Sequence, residues 1–151
     1  MEEGEKIFYF DFTSLYPDRV KSCKYNFCHP DIITRDFDES LESYEVGVAQ
    51  CKVHPPRGLY LPLLPTLSQD RLKFGLCRKC MEEESQELCQ CSYEERCLTG
   101  TWTTAELRKA LELGYTLDKI HEVYNYPDWC QYDPNRGTEG LFSEFINFFL
   151  K

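Results

Sequence analysis

Four cysteines constrain this chain most tightly: Cys77-x2-Cys80 and, after eight intervening residues, Cys89-x-Cys91. The chain holds nine cysteines, an odd number that forbids complete internal pairing, and its acidic residues 1–6 lack the apolar run of a signal peptide. A metal site is therefore the better reading than a disulfide framework. Two close ligand pairs joined by a short loop can fold around one tetrahedral Zn²⁺. Four thiolates on that ion leave a net charge of about −2, and the closed shell leaves no position for an activated water. The zinc is thus expected to be structural, tying the acidic excursion Met81 to Leu88 to the strand before it. A weaker cluster, Cys23-x4-Cys28-His29, could be completed by Cys51 or His54. Cys97 and Cys130 read as small hydrophobes.

A second motif lies close to the N-terminus, in Phe10-Asp11-Phe12-Thr13-Ser14-Leu15-Tyr16-Pro17. Ile7 to Phe10 is a run of bulky β-formers and reads as a buried strand with Asp11 at its end, followed by a turn closed by Pro17. A carboxylate held there could bind Mg²⁺ in phosphoryl transfer, where paired metals clamp the attacking and leaving oxygens. One aspartate supplies half of that clamp.

Further segments follow in order: Lys52-Val53-His54-Pro55-Pro56-Arg57-Gly58-Leu59-Tyr60-Leu61-Pro62, Leu76-Cys77-Arg78-Lys79-Cys80, Glu94-Glu95-Arg96 and Thr99-Gly100-Thr101-Trp102. With the Asp11 motif they resemble the palm region of family B, protein-primed DNA polymerases, above all those of Polinton or Maverick transposons and related viral and organellar elements. The resemblance runs from about Ile7 to Lys151. It implies Asp11 as the catalytic metal ligand, Ser14 and Leu15 facing the triphosphate, and Tyr16 as the gate against a ribose 2′-hydroxyl. It also implies DNA and deoxynucleotides as partners, with Mg²⁺ required only in a complete polymerase. In the similar enzymes the second cysteine pair often reads Cys-x-His, so Cys91 replaces a histidine with an equally good zinc ligand. A glycine commonly stands at the Cys28 position, whereas His29-Pro30 matches.

A chain of 151 residues, 42% hydrophobic and 15% aromatic, is one ordinary domain with its own core and needs no oligomer to fold, so a monomer is expected. No apolar stretch is long enough to span a membrane, and an intracellular location is expected. The net charge of −9 opposes freestanding nucleic-acid binding, which depends on Lys and Arg displacing counterions from phosphates. Acidic residues cluster at Asp36 to Glu45 and Glu82 to Glu87. Arg71, Lys73, Arg78 and Lys79 form either a basic strip or a solvated face, the second being the commoner case. Weak DNA binding by this chain alone, or a protein partner, fits that balance.

The expected fold is α+β: a mainly antiparallel, palm-like sheet packed with two or more helices and carrying a zinc-bound loop. Residues 1–151 form a single partial-palm domain, with the zinc loop at about 76–97 and a terminal helix at about 138–151. Leu15 to Ser22 makes a short helical turn, and Asp31 to Ser43 a long polar excursion. Tyr44 to Val53 alternates as a strand, with Val46, Val48 and Cys51 or Val53 as its apolar positions. His54 to Pro65 carries four prolines and is extended. Leu72 to Leu76 enters the zinc loop as a short strand. Leu107, Ala110, Leu111 and Gly114 share a helix face, with Thr103 or Thr104 as N-cap and Gly114 at the C-terminus. Tyr115 to Tyr126 is extended and is placed beside the first strand, and Asp128 to Gly137 is a loop. The aromatic helix Gly140 to Leu150 either packs into the core, the favoured option, or faces a partner.

The resemblance also predicts a fingers segment with an Asn-Ser-x-Tyr-Gly motif and an Asp-Thr-Asp hairpin carrying the second carboxylate, neither of which the sequence contains. Asp36-Phe37-Asp38 is a poor substitute for the hairpin. Asp11 is then a vestigial or incomplete catalytic residue. Two readings follow. The chain is a transposon-derived, standalone palm fragment without polymerase activity, acting as a zinc-stabilised binding or interaction module. Alternatively it is a segment of an active protein-primed polymerase in which Asp11 ligates the catalytic metal.

Overall fold

The computed structural model describes residue 6 and residues 8–149. In chain order the elements are α1 (Leu15–Ser22), β1 (Tyr25–Asn26), β2 (Asp31–Ile33), β3 (Gly47–His54), β4 (Pro65–Ser68), β5 (Arg71–Phe74) and α2 (Arg78–Glu82). They continue with α3 (Tyr93–Arg96), β6 (Leu98–Thr103), α4 (Thr104–Glu112), β7 (Thr116–Asn125), β8 (Trp129–Cys130) and α5 (Ser143–Phe149). The fold is α+β, with five helices and antiparallel strand pairing among the described residues. Among the described residues no helix is long and apolar enough to cross a membrane.

The chain divides into two compact units, one formed by Cys28–Asp128 and the other by the segments on either side of it. The central unit is built on a four-stranded sheet in the order β2-β7-β3-β6. Strands β7 and β3 are its interior members, and β3 alternates accordingly: Ala49, Cys51 and Val53 are buried on one face, while Val48 and Lys52 on the other are only half-buried. The predicted strand is present, but its fully buried positions are the odd-numbered ones rather than Val46 and Val48. Gly47 sits where a Cβ would come within 2.8 Å of the Tyr124 carbonyl oxygen, so the β3–β7 crossing requires glycine.

Helix α4 begins at a reciprocal capping box in which the Thr103 hydroxyl accepts from Glu106 N–H and the Glu106 carboxylate accepts from Thr103 N–H. Its Leu107 and Ala110 join Leu41, Leu64, Leu98, Trp102 and Val123 in the core. Gly114, at φ 89°, ends the helix in the left-handed conformation that glycine tolerates best. The indole N–H of Trp102 donates to the Pro65 carbonyl at 2.7 Å, fastening the β4–β5 hairpin to the sheet. Strand β7 is extended as expected, and its sheet neighbours are β2 and β3. Strand β2 lies inside the segment read as a polar excursion.

In the other unit, β1 pairs with β8 inside the segment read as a loop, and Tyr25 meets Phe142 edge to face. Helix α5 forms within the expected span, and Leu150 and Lys151 lie outside the described residues. Its expected core packing is not found: Ile146 is buried, whereas Phe145, Phe148 and Phe149 are exposed. Phe145 and Phe149 meet each other one turn apart, which shields part of that apolar surface.

Candidate metal centre

The metal loop is assembled from two short helices and the turn between them. Cys77 ends the extended chain after β5 and caps α2, its sulfur accepting from Cys80 N–H at 3.5 Å. One helical turn then brings Cys80 to the same side as Cys77. Cys89 and Cys91 return along the approach to α3, whose N-cap Ser92 forms a capping box with Glu95. The four sulfurs lie within 4.8 Å of one another. Cys80 Sγ and Cys91 Sγ are 3.7 Å apart, close to the separation of about 3.8 Å that a tetrahedron with Zn–S bonds of about 2.3 Å requires. Four soft ligands at that spacing can hold a metal ion.

The thiols do not share their protons evenly. The backbone N–H of Cys91 brings Cys89 down to about 7, while burial pushes Cys80 and Cys91 up. A cation bound by these sulfurs would displace their protons.

Charged groups lock the loop to the sheet. Arg57 donates from Nη1 to the Cys89 carbonyl at 3.1 Å and from Nη2 to the Cys91 carbonyl at 3.0 Å. Arg96, only 3% exposed, donates from Nη2 to the carbonyls of Pro55, Pro56 and Leu76 at 2.9, 3.1 and 3.3 Å. Its Nη1 lies 3.1 Å from His54 Nε2, and because guanidinium only donates, that nitrogen accepts and the imidazole proton sits on Nδ1. Burial, then the charges of Arg96 and Arg57, hold His54 below its ordinary value. The imidazole stacks on Tyr93 with centroids 3.9 Å apart. Lys52 bridges Glu94 at 2.6 Å and Asp118 at 3.0 Å, and these hydrogen bonds raise its affinity for its proton. None of these pairings follows from motif spacing, although Lys52, His54, Arg57, Glu94 and Arg96 all fall within the ordered segments of the sequence.

The basic residues singled out in the sequence belong largely to this framework. Lys73 donates to the Met81 carbonyl and pairs with Glu84, Arg78 lies near Glu82, and Lys79 pairs with Glu95. These three therefore serve the loop's own carboxylates rather than forming an open basic strip.

The Asp11 motif has a different setting. Ile7 lies outside the described residues, and Phe8 to Phe10 form no strand; Phe8, Tyr9 and Phe10 are exposed, Tyr9 by 90%. Asp11 is exposed in irregular backbone. Ser14 precedes α1 in the left-handed conformation at φ 59°, with its carbonyl accepting from Asp18 N–H at 3.0 Å. Leu15 opens α1 and Tyr16 is 84% exposed. Among the described residues, the four cysteines form the only close cluster of three or more metal-ligating side chains. Cys23, Cys28 and His29 are not brought together in such a cluster; the Cys28 thiol lies 3.4 Å from the Asp128 carbonyl, and Cys51 is enclosed in β3. Asp38 binds Ser40 and Ser43 rather than standing as a free carboxylate.

Residues 1–149 match the family model of type B DNA polymerases, organellar and viral. The chain belongs to that family. No curated protein and no solved structure matches it. Membership makes the cysteine loop part of a polymerase-related chain and gives the Asp11 motif a chemical context.

Proposed function

We propose that this type B polymerase chain is a palm segment of the protein-primed, Polinton kind, whose four cysteines hold a structural Zn²⁺ and which does not transfer nucleotides by itself. The observation that carries this reading is the contrast in ligand supply. Four sulfurs converge within 4.8 Å of one another, whereas Asp11 belongs to no close cluster of ligating side chains among the described residues. Zinc bound by all four thiolates would cross-link α2 to the approach to α3 and would have no open position for chemistry.

Asp11 would meet Mg²⁺, and Ser14, Leu15 and Tyr16 a deoxynucleotide, only where further polymerase segments supplied a second carboxylate and cationic groups. Nucleotidyl transfer relies on positioning and charge neutralisation, so one carboxylate supplies too little of either. The acidic balance of the chain agrees with weak DNA binding in isolation.

Elemental analysis of protein purified without added metal should find one zinc per chain; its absence would sink the zinc assignment. Primer extension with the same preparation should show no incorporation. Synthesis that vanished in Asp11→Ala would overturn the claim that this chain alone is inactive.

A further inference from the structure

The fork of Arg57 onto the Cys89 and Cys91 carbonyls binds the two members of the Cys-x-Cys pair at once. A guanidinium is planar and presents its N–H groups in a fixed geometry, so two carbonyls held by its two terminal nitrogens are held relative to each other. The residue between the ligands, Gln90, is exposed and offers no packing to define that turn. The opposite pair is differently secured, since Cys77 and Cys80 are spaced by the helical turn of α2. One half of the site is thus shaped by its own helix and the other by a side chain reaching from the extended segment after β3.

We infer that Arg57 is a positioning residue for the metal: it pre-shapes the Cys89–Cys91 half of the site and sets how long the ion is retained. Two physical effects act together. The hydrogen bonds fix the carbonyls and hence the Cα–Cβ directions of both ligands, so less order must be imposed when metal binds. The permanent positive charge offsets part of the negative charge that four thiolates leave on the site. Lysine keeps the charge but lacks the planar fork, and glutamine is shorter and lacks both the charge and the two paired donors on separate nitrogens.

This inference rests on the zinc reading, and the experiment separates the two. Zinc transfer from the full chain to a chromophoric chelator is followed for wild type, Arg57→Lys and Arg57→Gln, with urea unfolding of each metal-free protein measured in parallel. Arg57→Gln should release zinc roughly 10- to 100-fold faster, with Arg57→Lys between it and wild type. The metal-free unfolding midpoint should fall by less than the metal-bound one, whereas a general structural role would lower both equally. Cobalt substitution should give the thiolate charge-transfer band of a four-sulfur site in all three, because no ligand has been removed. Wild-type release kinetics in Arg57→Gln would overturn the inference, as would a metal-free midpoint lowered as much as the metal-bound one. Wild-type protein that held no zinc would instead remove the zinc reading beneath it.

Discussion

The Cys77–Cys97 loop and the Phe8–Tyr16 segment carry the two strongest motifs of the chain, yet their physical states are opposite. In the loop, sulfurs and carbonyls meet charged side chains, with Arg57, Arg96, Lys73 and Lys79 each bound to loop or flanking atoms. In the N-terminal segment the aromatic rings are exposed and Asp11 joins no close cluster of ligating groups among the described residues. The cysteine site draws its ligands from one short stretch, so local turns suffice to gather them. A two-metal phosphoryl-transfer site needs carboxylates and cationic groups from distant stretches, so a single motif cannot assemble it.

Removing the metal is the strongest way to test that contrast. If zinc holds the loop, Cys80→Ser should forfeit a binding free energy on the order of 10 kcal/mol. Hydrogen exchange should then accelerate across residues 77–97 until the loop exchanges like the N-terminal segment, while amides in β3 and β7 stay protected. Uniform loss of protection through the sheet would show instead that the loop and the sheet form one cooperative unit.

A smaller effect is expected where the loop is anchored to the sheet. Arg96→Met keeps an unbranched apolar stem but leaves the carbonyls of Pro55, Pro56 and Leu76 without their donor and His54 Nε2 without its partner. The cost should be about 3 kcal/mol, read from the urea midpoint. Zinc should remain bound, since all four sulfurs are intact. A neutral substitution would mean that water replaces the guanidinium and that the anchoring is weaker than its burial implies.

The parts legible in the sequence were those determined by near neighbours. The Cys-x2-Cys and Cys-x-Cys spacings, an N-cap at Thr103 or Thr104 and the span of α1 each depend on residues a few positions apart, and the structure contains the first and third and settles the second on Thr103. What escaped depended on distant pairing. Strand β2 exists because Asp31–Ile33 finds the far end of β7, and polar composition concealed it. The placement of β7 and the buried face of β3 were set by which strands meet, and alternation alone left both open. The exposure of Phe148 and Phe149 followed from α5 forming on so few residues that one buried position, Ile146, serves the whole helix beyond its first residue. At the metal centre the ligands were readable and the arginines holding them were not, because Arg57 reaches 34 residues along the chain to Cys91.

The smallest expected effect concerns Asp38, whose loop shows how much order short-range hydrogen bonds supply without a metal. Its Oδ1 accepts from the N–H and hydroxyl of Ser40 at 2.9 and 2.6 Å, and its Oδ2 from the N–H and hydroxyl of Ser43 at 2.9 and 2.7 Å. The side-chain bond from Ser40, followed by those from Ser43, holds the carboxyl well below the ordinary aspartate range. A group with a depressed folded-state value binds its proton more weakly when folded than when unfolded. Its stabilisation is therefore fully present above the unfolded value of about 3.9 and is lost as pH falls below it. Asp38→Asn should lower stability by a small, constant amount between about pH 5 and 7, and the gap from wild type should narrow below about pH 4. Glu95 is also depressed, to about 2, and Asp118 is lowered by Lys52, so both proteins should weaken in acid; only the difference between them reports on Asp38. A difference that stayed constant down to about pH 2 would show that the loop owes its shape to neutral hydrogen bonds that asparagine cannot reproduce, with the carboxylate's charge contributing nothing.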